Sequence, residues 1–96
     1  MKFKSILKEF NECVKNNPLA DCVLYLRNGN EEIAIIKTED KYEAWGMDFS
    51  KTTLAGYIYC DEDEEYEVLN NIPEKELIKH IPSIIKFKEY YIDIDD

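Results

Sequence analysis

The sequence predicts an α+β domain: an N-terminal helix packed on a four- to five-stranded antiparallel meander, followed by a short C-terminal helix. Three observations carry this. Apolar residues recur at helical spacing near the start. Two runs rich in β-branched and aromatic residues flank an Asn-Gly pair. A proline followed by acidic residues marks a second helix start near residue 73.

The elements follow in order. Phe3, Ile6, Leu7, Phe10 and Val14 fall at three- and four-residue steps, which is one apolar stripe of an amphipathic helix over residues 2–16. Asn16-Asn17-Pro18 ends it, because proline disfavours helical geometry in the residue before it. Residues 22–27 and 32–37 read as strands joined through Asn28-Gly29-Asn30, where Asn-Gly tolerates the positive φ of a tight hairpin. Residues 38–41 read as a second turn and 42–47 as a third strand, with Gly46 a candidate bulge. Residues 48–51 form a turn, and 52–60 a fourth strand. Leu54, Gly56, Ile58 and Cys60 share one face of it, and Thr53, Ala55, Tyr57 and Tyr59 the other. A short fifth strand spans 66–69. The second helix starts at Pro73, where acidic residues suit the positive end of the dipole, and is expected to close at Pro82. Residues 83–94 alternate like a strand at Tyr90, Ile92 and Ile94, yet Ile84, Ile85, Phe87 and Tyr91 also suit a helix. The reading is helix for the first half and an extended tail. With helices on one face, the other sheet face is left open.

The 96 residues make one domain, 1–96, since a second core could not be built from what remains. No apolar run approaches the ~20 residues that span a bilayer, and Lys4 and Lys8 interrupt the start, so the expected location is the cytoplasm. Three cysteines, Cys13, Cys22 and Cys60, fit reduced thiols in that compartment.

Charge is uneven. Twelve Lys and Arg against 21 Asp and Glu give −9. Residues 1–60 carry eight basic and nine acidic residues; residues 61–96 carry four and twelve, so −8 of the total lies in the last third. Such a field repels nucleic acid and anionic membranes and attracts basic proteins.

The chemistry-bearing residues assemble no enzyme. Cys13, Cys22, Cys60 and His80 lie 9, 38 and 20 residues apart, without the close ligand pairs of a zinc site, so no metal and no cofactor is assigned. One His and no nucleophile elbow leave no catalytic residues. Counted as an EF-hand from Asp61, the sixth and twelfth places hold Tyr66 and Ile72 where calcium needs Gly and Glu. The expected activity is therefore binding. The candidate contacts are acidic Asp61, Glu62, Asp63, Glu64, Glu65 and Glu67, together with Tyr25, Tyr57 and Tyr59 on the sheet face opposite the leucines. The bland alternatives are a solvated loop that blunts aggregation, and a tail that covers the tyrosines.

In layout, with the helix at Phe3–Val14, the Asn28-Gly29-Asn30 hairpin and the acidic stretch from Cys60 to Tyr66, the chain resembles the short acidic anti-CRISPR inhibitors carried by phages. The resemblance implies an inhibitor that acts in the host cytoplasm, blocking the DNA- or guide-binding site of a CRISPR effector, with Asp61–Glu65 as contacts. An acidic immunity protein against a basic nuclease toxin has the same outline. The expected partner is a protein with a basic surface, with no nucleic acid bound directly and no membrane. The alternative is an assembly module that uses its open sheet face, as a monomer or homodimer.

Overall fold

A computed structural model describes residues 2–46, 58–60 and 67–95. Helix α1 (Phe3–Asn16) leads into strands β1 (Asp21–Asn28), β2 (Glu31–Thr38) and β3 (Lys41–Gly46). Strands β4 (Ile58–Cys60) and β5 (Glu67–Pro73) follow, then helix α2 (Glu74–Ile84) and strand β6 (Glu89–Asp95). The α+β layout is the one the sequence predicts.

The stripe of α1 buries Phe3, Ile6, Leu7 and Phe10, each side chain contributing about 1.5–3 kcal/mol on leaving water. The helix ends at Asn17, whose side-chain amide donates to the Cys13 carbonyl at 2.8 Å, so a terminal carbonyl is capped by the residue before the proline.

The β1–β2 hairpin forms one residue later than the Asn-Gly pair suggests. Asn28 pairs with Glu31, so the two loop residues are Gly29 and Asn30. Gly29 takes φ +62° at the first loop position, where a residue without Cβ meets no steric cost. The β2–β3 loop is also two residues, because Thr38 pairs with Lys41; here Glu39 takes φ +59°.

The sheet has six antiparallel strands in the order β4-β5-β3-β2-β1-β6. It departs from a simple meander twice. Strand β5 lies between β3 and β4, and the chain's last strand returns to pair with β1. The bulge falls on β5 rather than at Gly46. Tyr42 pairs with Ile72 and Ala44 with Leu69, which leaves Asn70 and Asn71 opposite one β3 residue. Asn71 sits at φ +58°, a conformation Asn tolerates better than most residues. The extra residue lets Leu69 and Ile72, three apart, both face the core.

Both helices pack on one sheet face. Cys22, Leu24, Leu26, Ile33, Ile35, Tyr42, Ala44, Leu69 and Ile72 meet Phe3, Ile6, Leu7, Phe10, Leu77, Ile81 and Ile85 in one cluster. Helix α2 does not close at Pro82; it runs two residues farther to Ile84. Pro82 withholds a single donor near the helix end, while Ile81 and Ile85 on either side of it are buried. The described strand residues of the fourth-strand prediction are 58–60; its earlier part, the preceding turn and Tyr66 lie outside the described residues.

A polar knot ties three elements together. The buried Tyr42 hydroxyl donates to Asn11 Oδ1 at 2.6 Å and lies 3.2 Å from Glu74 Oε1, to which Asn11 Nδ2 donates at 2.9 Å. It joins α1, β3 and the start of α2. Burial, with the Glu74 charge, pushes the Tyr42 hydroxyl up to about 12, although the bond to Asn11 opposes the shift.

Candidate binding face

Strand alternation decides what the second sheet face carries. The register aligns Tyr91, Tyr25, Ala34, Trp45, Val68 and Tyr59 as successive Cα partners from β6 to β4. From Tyr91 to Val68 this row runs across the face opposite the helices. Among the described residues, no helix packs over it. Val68 is fully buried and Tyr91 is 41% exposed, so the accessible part lies at the β1–β6 end.

The aromatics there are fixed. Tyr25 and Tyr91 stack with ring centroids 4.7 Å apart and planes at 18°. The Arg27 guanidinium lies 5.1 Å from the Tyr91 ring centre and 3.4 Å from its hydroxyl, and it pairs with Glu32. The Tyr90 hydroxyl, on the helix side, donates to Glu9 at 2.8 Å and anchors β6 from behind. Strand β6 therefore lies alongside β1 as a sheet edge and does not cover Tyr25.

The same face is acidic. By alternation, among the described residues it carries Asp21, Glu32, Glu43, Glu89, Asp93 and Asp95, against two basic residues, Arg27 and Lys41. Arg27 pairs across the strands with both Glu32 and Glu89. Asp21 and Asp95 are direct cross-strand partners with no cation between them in the register. Like charges so placed cost stability. Burial, then electrostatic interaction with Tyr91 and with the Asp93 and Glu32 carboxylates, hold the Tyr25 hydroxyl above its ordinary value, with Arg27 opposing.

Of the residues singled out from sequence, Tyr25 lies in the centre of this accessible patch. Tyr59 is the β4 register partner of Val68. Glu67 pairs with Gly46 and Cys60 and alternates with Val68, which assigns it to the helix-side row rather than to the tyrosine face. Tyr57 and Asp61, Glu62, Asp63, Glu64 and Glu65 lie outside the described residues. Sequence reading missed Tyr91, Arg27 and the six strand carboxylates. Their signal was the period-two spacing of Glu89, Tyr91, Asp93 and Asp95, which becomes legible once residues 89–95 are known to be a strand.

The remaining chemistry-bearing groups are dispersed. His80 Nε2 lies 3.1 Å from Glu76 one helical turn away. Cys22 is buried beneath the sheet and Cys13 is half-buried on α1. Among the described residues no three His, Cys, Asp or Glu side chains converge as metal ligands, and no helix is long and apolar enough to cross a membrane. No family model, curated protein or solved structure matches the chain.

Proposed function

We propose that the protein is a non-enzymatic inhibitor that docks its acidic, tyrosine-bearing sheet face on the basic nucleic-acid site of another protein. One observation carries the reading: among the described residues, six carboxylates against two cations lie on a sheet face that also presents a stacked tyrosine pair. Carboxylates on a rigid sheet substitute for phosphates, and a guanidinium or lysine on the partner is attracted to both carboxylate and ring. The Asp21–Asp95 cross-strand juxtaposition supports the same reading, because a partner's cation placed there would offset the like-charge contact. Partners of this chemistry include CRISPR effectors and basic nuclease toxins.

The test is displacement. A CRISPR effector and a basic nuclease toxin, each loaded with labelled nucleic acid, are titrated with the protein and with the Glu43→Lys/Asp93→Lys variant. The reading expects release of nucleic acid by the parent protein, suppressed by ~0.5 M salt and by the variant. Release that is equal for parent and variant excludes the sheet face as the docking surface.

A further inference from the structure

Strand β6 is the edge of the sheet. Its seven residues pair with β1 along their whole length, from Asp21–Asp95 to Arg27–Glu89, and Lys88 N–H extends the pairing to the Arg27 carbonyl at 2.8 Å. Among the described residues nothing pairs with its other side. An edge strand presents a row of backbone donors and acceptors to any extended chain that can approach it.

Protective devices are sparse along this edge. No proline interrupts it, no bulge turns it away, and it is not short. Two of the three large hydrophobic side chains most exposed among the described residues, Tyr91 and Ile94, lie on it, one on each face. The remaining feature is charge, and all of it has one sign: Glu89, Asp93 and Asp95. Charge of one sign selects. Full-length antiparallel pairing with a second copy would set Glu89 against Asp95 twice, at a cost for each like-charge pair. A strand carrying lysine or arginine at alternate positions meets no such barrier.

We infer that the β6 edge accepts an extended basic strand from a partner protein, one that alternates cationic and apolar residues. This deepens the proposed binding reading and rests on it. The alternation of β6 sets the ligand pattern. Glu89, Asp93 and Asp95 share the open face with Tyr91, so cations on the incoming strand lie beside them. Ile92 and Ile94 point to the helix side, so apolar residues of the incoming strand extend the core there. The edge is already ordered, because Tyr91 is held by Tyr25 and Arg27, and Tyr90 by Glu9. Less conformational freedom is then lost on binding.

The probe is a seven-residue capped peptide of alternating lysine and valine. Its control has the same composition with lysines and valines in separate blocks. Binding is followed by fluorescence, and amide hydrogen exchange is followed residue by residue. The alternating peptide is expected to bind at least tenfold tighter than the block peptide, to slow exchange of β6 amides, and to lose at least tenfold with Asp93→Lys/Asp95→Lys. Equal binding of the two peptides without slowed exchange in β6 overturns the edge-strand site. So does peptide failure while the proteins of the displacement test still bind; the face reading survives both outcomes. Failure of peptides and proteins alike removes both. A dimer of the free protein with protected β6 amides would assign the edge to a second copy and overturn the basic-strand proposal.

Discussion

Tyr25 and Tyr91 stack across the β1–β6 pair, although 65 residues lie between them in the chain. The pair is an aromatic cross-strand contact, worth ~0.5–1.5 kcal/mol beyond area burial. Tyr91→Ala is expected to cost ~1 kcal/mol of unfolding free energy. A Tyr25→Ala/Tyr91→Ala cycle should return a coupling of that size in urea denaturation. Strictly additive single and double mutants would mean that the rings do not hold β6 in place.

The Asp21–Asp95 juxtaposition makes a prediction of opposite signs for stability and binding. Asp95→Lys replaces a repulsion with an attraction and should raise unfolding free energy by ~0.2–1 kcal/mol. The same change should weaken the complex with a basic partner. A variant that is both more stable and unimpaired in binding contradicts a functional role for this end of the face.

Tyr42 couples stability to alkaline pH. Its folded-state value is raised, to about 12, above the ordinary ~10 of an unfolded tyrosine. The folded state therefore favours the neutral hydroxyl. That contribution is fully present below pH ~10 and is lost as pH rises toward ~12. Tyr42→Phe should reduce the extra loss of stability over this window. At neutral pH it should cost ~1–2 kcal/mol, because Asn11 Oδ1 loses its donor. Chemical denaturation at pH 8 and pH 11 measures both effects.

Two backbone positions separate loop from bulge. Glu39 holds φ +59° without the short polar side chain that eases this conformation. Glu39→Gly should stabilise by ~0.5 kcal/mol, the relief of strain exceeding the added chain entropy. Asn71→Ala should destabilise by ~1 kcal/mol, because the bulge that lets Leu69 and Ile72 both face the core needs the left-handed conformation. A shift in the thermal midpoint opposite to either sign sets that account aside.

The strongly periodic parts were legible in the sequence. The stripe from Phe3 to Val14 and the strands around Gly29 have local patterns that tertiary contacts reinforce. Boundaries shifted where packing outweighed a local signal: Pro82 lies inside α2 because Ile81 and Ile85 both bury. The fate of residues 83–94 was not legible. The 3.6-residue and two-residue periods both fit Ile84 to Ile94, and only pairing of Leu24 with Ile92 and of Tyr25 with Tyr91 selects the strand. The candidate site follows the same rule. Tyr25 could be assigned to a face from its neighbours Leu24 and Leu26. Glu89, Asp93 and Glu43 join it only through non-local pairing, which one strand's alternation does not contain.

The central claim is that the acidic sheet face, and not the helical side, engages a basic partner. Its most direct test is residue-resolved NMR of the labelled protein, titrated with the effector or toxin that responds in the displacement assay. The account predicts perturbations centred on Val23, Tyr25, Glu43, Tyr91 and Asp93 that fade as salt approaches ~0.5 M. Perturbations centred on the exposed residues of α1 and α2, with the β1–β6 face unchanged, would contradict it.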